Sequence, residues 1–172
     1  MSTTSRLLSA IAAFFRPSPR AQSPVADLTA SPGQVGADAT VEVDPRRVGH
    51  VTMTYVPRVD GDADPGEIVW TWVPYEERDG RGKDRPVLVV AAEKTGTVLV
   101  VQLTSQEHPG RPGYIPVGTG AWDSRRRPSY VNIERVFRVH QGGMRREAAA
   151  LDARRYDSVR SALVARYGWS AA

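Results

Sequence analysis

The sequence predicts a mainly β protein: a small curled antiparallel sheet or barrel packed on one C-terminal helix. Three observations carry that expectation. Short apolar stretches rich in Val, Ile and aromatic residues recur from residue 51 onward, each closed by a Gly, Pro or Asp cluster. A single stretch, residues 152–167, has helical periodicity instead. At 172 residues, 41% of them hydrophobic, the chain fits one globular domain plus some unstructured length.

Residues 1–47 are expected to form an N-terminal extension, disordered or weakly helical, with the folded domain spanning 48–172. The run RLLSAIAAFF lacks a convincing signal-peptide cleavage site and falls far short of the ~20 apolar residues a membrane span needs. It reads either as a frayed tail or as a short amphipathic helix with Leu7, Leu8, Ile11, Phe14 and Phe15 on one side. Residues 16–47 repeat Pro, Ser, Ala, Asp and Gly without apolar periodicity, the pattern of a linker.

Order is expected near Val48, where Val51, Met53 and Tyr55 alternate with threonines as in a half-buried strand. Residues 67–74 form the next strand, apolar on both faces and hence central, with Trp70 in the core. A charged, Gly-rich loop (75–84) leads to two β-branched strands, 86–92 and 97–103, joined by the EKTG turn. Pro86 has no amide donor and belongs at a strand start. Further strands are expected at 114–117 and 130–140. The helix places Tyr156, Val159, Leu163 and Tyr167 on one stripe, with Asp152 as cap and Gly168 as stop.

With no Cys, the chain has no disulfide framework, no thiol nucleophile and no cysteine-based metal site. A reducing cytosol, and so a cytoplasmic location, is the simpler reading. Of the 23 basic residues only Lys83 and Lys94 are not arginine. Codon usage explains a global arginine excess as well as function does, but its distribution is lopsided. Between Arg125 and Gly168 eleven arginines face four acidic residues, a balance compatible with a polyanionic partner.

Three blocks carry chemical information: Gly66-Glu67-Ile68-Val69, then Arg85 to Val89 (RPVLV), then Leu103-Thr104-Ser105. Taken alone, Arg85 reads as the partner of a nearby carboxylate such as Asp84 or Glu67, and Thr104 as a turn former. Together, in this order and spacing, the blocks resemble the MazF/PemK family of toxin endoribonucleases over about residues 64–168. The resemblance implies an SH3-like barrel working as a homodimer, with a cognate antitoxin as protein partner and single-stranded RNA as substrate. It implies cleavage without metal or other cofactor, and no membrane association.

By the same resemblance Arg85 and Thr104 are the catalytic pair and Ser105 their neighbour, while Asn132 and Glu134 fall on the strand where some members carry further polar groups. Asn132 stands where some relatives have arginine, and His140 where the family often has Asp. Chemically, a ribose 2′-hydroxyl is already tethered beside its phosphate, so a protein need add only charge stabilisation, a proton acceptor and geometry. A guanidinium suits the first role and is a poor general base; Glu134 is the candidate for the second. Lys83 and the arginines of its loop, together with Arg125 and Arg127, are candidates for contact with the RNA backbone, and Trp122 for contact with a base. Two other readings stay open: a non-catalytic barrel binding nucleic acid or protein, and a membrane-tethered interaction protein using residues 5–16.

Overall fold

The computed structural model describes residues 29–58 and 60–172. Its frame is one antiparallel sheet built from β1 (Val41–Val43), β3 (Glu67–Pro74), β4 (Gly82–Ala92), β5 (Thr97–Thr104), β7 (Ser129–His140) and β8 (Arg145–Ala150). The order is β1-β7-β5-β4-β3-β8, with β6 (Tyr114–Gly118) pairing separately with β7. The sheet curls as an open barrel. Its central strands bury both faces, which is why they read as near-continuous apolar runs. Ile68, Leu88, Val101 and Leu103 belong to one core cluster, and Val69, Val87, Val89, Val100 and Phe137 to the other.

Helix α1 (Ala153–Tyr167) covers the first cluster through Tyr156, Val159 and Leu163. Its ends follow the sequence: Asp152 accepts from the N–H of Arg155 at 2.9 Å, and Gly168, at φ +71°, donates its N–H to the Val164 carbonyl. The Tyr156 hydroxyl donates to the Val90 carbonyl at 2.7 Å and lies 3.0 Å from that of Thr54, so it ties helix to sheet. Burial raises the pKa of that hydroxyl. Tyr156→Phe is expected to destabilise the fold by about 1–2 kcal/mol, because buried carbonyls lose their donor; urea unfolding of parent and variant measures it. A short β9 (Ser170–Ala171) pairs in parallel with β2 (Thr52–Met53) outside the main sheet.

The folded region begins before the expected residue 48. Strand β1 pairs with β7, Val41 opposite Arg138 and Val43 opposite Val136. Ahead of it the Pro32 carbonyl accepts from the Trp72 N–H at 2.9 Å, and the Thr40 and Thr71 hydroxyls share a 2.7 Å hydrogen bond. Gly33 sits at φ +78°, where a Cβ would lie 2.3 Å from Thr71 Oγ1 and 2.6 Å from the Gly143 carbonyl oxygen; the backbone conformation and the close approach both require glycine. Residues 31–43 thus strap β3 to β7 on backbone carbonyls, a glycine and one carboxylate, none of which produces apolar periodicity. The amphipathic-helix reading of residues 7–15 lies outside the described residues.

Two strands also depart from expectation. The strand beginning at Val51 shortens to β2. Strand β8, unexpected because RREAAA has neither alternation nor β-branched residues, forms along the edge of β3. Its register breaks between Ile68 and Val69, and Ala148 takes φ +49°.

Candidate functional site

Strands β4 and β5 pair with a register break between Val89 and Ala91, then without a break from Val89 opposite Val100 to Val87 opposite Gln102, where the ladder ends. Pro86, which has no N–H to donate, immediately precedes that last pair. Period-two alternation places Arg85 on the face of Val87 and Thr104 on the face of Gln102, and since Val87 and Gln102 are partners, Arg85 and Thr104 share one face. Where the strands part, a cleft of about 440 Å³ opens, lined by Arg85, Thr104, Ser105, Lys83, Trp122 and Arg127 together with Asp84 and Trp70.

Within the cleft, Arg85 is half-buried and its guanidinium has no ion-pair or hydrogen-bond partner among the described residues. The two carboxylates that would neutralise it are taken elsewhere: Asp84 Oδ2 accepts from Arg145 at 3.1 Å, and Glu67 from Arg146 at 2.9 Å. By contrast, Arg135 and Arg138 are each held by two bonds to one glutamate. The Thr104 hydroxyl accepts from the Gln106 N–H at 3.1 Å, a turn-forming contact that leaves its own hydrogen free to donate. Lys83 and Ser105 are exposed at the rim.

The opposite wall is tied by its own hydrogen bonds. Trp122, expected in a polar loop, is only 4% exposed, and its indole N–H donates to Ser129 Oγ at 3.1 Å, so its ring is fixed in the wall. Arg127 donates to both oxygens of Asp123, and the N–H groups of Arg125 and Arg127 donate to the same carboxylate. The Arg127 contacts, aided by the two backbone donors, lower the Asp123 pKa to about 2. Arg127 therefore reaches the cleft already paired, while Arg125 is exposed on the loop and does not line it.

Asn132 and Glu134 are not brought to the cleft. The register of β5 against β7 jumps between Val101, opposite Val136, and Gln102, opposite Asn132, which leaves residues 133–135 in a bulge. Asn132 is 1% exposed; it donates to the Tyr114 hydroxyl and accepts from the Glu134 N–H at 2.9 Å, holding the bulge together. Glu134 is paired with Arg111, lies 3.7 Å from Arg166, and lines a separate depression with Glu42, Arg78 and Arg135. Period-two alternation alone gives no sign of such a bulge.

Two cleft residues have other roles in the sequence reading, Trp70 as core and Asp84 as a partner of Arg85. Trp70, expected in the core, is half-buried and lines the cleft, with the Arg145 guanidinium 5.5 Å from its ring centre. Asp84 also lines the cleft, and both Asp84 Oδ1 and Trp70 Nε1 are buried without a hydrogen-bond partner among the described residues. Beyond Arg85 a second depression, of about 380 Å³, continues past Gln102 to Arg135, with Tyr75, Glu76 and Glu77 along its side. Among the described residues no group of three or more His, Asp or Glu side chains has the arrangement of a metal site, and no helix is long and apolar enough to cross a membrane.

Fold and cleft together define a small curled, open β-barrel whose mouth carries a guanidinium with no partner among the described residues. Residues 64–165 match the family model described as the PemK-like, MazF-like toxin of type II toxin-antitoxin systems, and the chain belongs to that family. Among solved structures it is similar to MazE-MazF from Deinococcus radiodurans in two crystal forms. Form II has 23% identity and a TM-score of 0.47, over 68% of this chain and 100% of that one. Form III has 22% identity and a TM-score of 0.46, over 62% and 97%. An endoribonuclease from a mycobacterial species has 17% identity and a TM-score of 0.45, over 63% and 94%. No curated protein gives a significant match.

Proposed function

We propose that this chain is an endoribonuclease toxin that cuts single-stranded RNA by attack of a ribose 2′-hydroxyl on the adjacent phosphate, without a metal ion. One observation carries the reading: an unneutralised guanidinium, Arg85, and a hydroxyl with a free hydrogen, Thr104, share one face and one open cleft. A phosphodiester seated there would receive the Arg85 fork on its non-bridging oxygens and the Thr104 hydroxyl as a further donor. Both contacts strengthen as the phosphorane gains charge. Lys83 and Ser105 at the rim are suited to the neighbouring backbone, and the depression beyond Arg85 offers the strand a continuation. Family membership supports the same chemistry, together with a homodimeric state, a cognate antitoxin as partner and action in the cytoplasm.

The test is incubation of the full-length protein with mixed-sequence RNA in EDTA. Expected products carry a 2′,3′-cyclic phosphate and a 5′-hydroxyl, the ends that internal attack leaves. Thr104→Ala is expected to slow their formation by about 10²-fold, the effect of removing one oriented donor. RNA that stays intact, or 5′-phosphate ends, would count against the reading.

A further inference from the structure

Glu134 lies outside the cleft, so the proton acceptor for the attacking hydroxyl must be sought among the carboxylates that line it, Asp84 and Asp123. Asp123 is saturated by the Arg127 side chain and two backbone N–H groups. Asp84 differs in one respect. Its Oδ2 accepts from Arg145 at 3.1 Å, whereas Oδ1 is buried with no donor among the described residues, on a side chain that is 26% exposed and lines the cleft. An unpartnered carboxylate oxygen is costly in a folded protein and calls for a role.

Position agrees with that role. Asp84 precedes Arg85 on β4, the two on opposite sides of the strand across from Trp72 and Thr71, and both line the cleft. The χ2 torsion of an aspartate is broad, so tilting the carboxylate toward a substrate needs no change of rotamer. Its charged and titratable neighbours are Arg145 and Glu147 of β8, Lys83 and Arg85 on its own strand, and the Asp123–Arg127 pair across the cleft.

We propose that Asp84 is the general base of the cleavage, its Oδ1 taking the proton of the attacking 2′-hydroxyl while Arg85 holds the phosphate. The assignment rests on the endoribonuclease reading. As the proton passes from O2′ to Oδ1, the O2′ electron pair forms the new bond to phosphorus. The P–O5′ bond breaks with its pair on O5′, which takes a proton from solvent. Asp84 then returns its proton to solvent, so the net change is one RNA chain divided into a 2′,3′-cyclic phosphate and a 5′-hydroxyl.

The experiment measures initial cleavage of mixed-sequence RNA by the full-length protein between about pH 4 and 8, with RNA binding measured in parallel. Asp84→Asn keeps an oxygen for Arg145, and is expected to lower the rate about 10²–10⁴-fold and to abolish the acidic limb of the profile, with RNA affinity retained. Asp84→Glu restores the limb. Arg145→Gln removes the ion pair but leaves the base, and keeps the limb as well. The assignment is overturned if Asp84→Asn cleaves within about threefold of the parent, if it retains the acidic limb, or if Arg145→Gln reproduces its loss, which would make Asp84 a wall residue only. A parent protein that leaves RNA intact overturns the endoribonuclease reading and this assignment with it.

Discussion

Arg85→Ala is expected to lower RNA cleavage by about 10²–10³-fold while leaving the fold almost as stable as before. Both halves follow from one fact: Arg85 has no ion-pair or hydrogen-bond partner among the described residues. A guanidinium that neutralises no carboxylate can be removed without orphaning a buried charge, so thermal unfolding should move by no more than about 2 °C. Contrast Arg138, whose loss would strand Glu93. The catalytic loss arises because a donor aimed at phosphate binds the phosphorane more tightly than the ground state. Consequently kcat should fall more than KM rises. Arg85→Lys should recover only part of the rate, since an ammonium supplies a point charge in place of a two-pronged fork. Initial rates on RNA, paired with thermal melts, measure both effects. An Arg85→Ala protein that cleaves normally, or one that melts many degrees lower, would show that Arg85 serves the fold and not the substrate.

How far the sequence led is clearest when Arg85 and Thr104 are set against Asn132 and Glu134. All four came from the family resemblance, Arg85 and Thr104 by their sequence blocks and Asn132 and Glu134 by their place on a strand. For the first two, the register break of β4 against β5 lies farther along, between Val89 and Ala91, and the pairing from Val89 to Val87 is unbroken, so parity holds at that end and the pair share one face. For the second two, a bulge between β5 and β7 intervenes, and Glu134 is turned toward Arg111 and Arg166. A bulge is set by what the neighbouring strand does, information that no local window holds. The tryptophans exchanged environments for a related reason: Trp70 lies where the apolar strand runs past its cover, whereas Trp122 folds back onto Ser129 from a polar loop. Helix α1 and strands β3 to β5 were legible because apolar periodicity and caps are local. The strap at residues 31–43 was not, since its partners are a distant backbone N–H, a threonine hydroxyl and arginines, and the glycine it needs is indistinguishable in sequence from a linker glycine.

That strap supplies the largest expected effect on stability. Glu42 of β1 accepts two bonds from Arg135, at 3.0 and 2.8 Å, and lies 3.8 Å from Arg78; Arg135 is 9% exposed and also donates to the Pro74 carbonyl. The Arg135 hydrogen bonds, opposed by partial burial, hold the Glu42 carboxyl below its ordinary value of 4.5. Glu42→Gln leaves a buried guanidinium without its counter-charge, and is expected to cost about 3 kcal/mol, lowering Tm by about 10 °C. The pH dependence has a definite sign. Because the carboxyl is more acidic in the folded than in the unfolded chain, its stabilisation is complete above the unfolded value and is lost as pH falls through the folded one. The gap in stability between parent and Glu42→Gln should therefore be widest near neutral pH and should close as the solution is acidified below about pH 4.5. Glu93, held down in the same way by Arg138, keeps its own acid dependence in both proteins, so the variant's profile flattens only in part. Urea midpoints across that range decide the matter: a gap that stays constant into acid would mean that the strap is held by its backbone pairing with β7 and not by this ion pair.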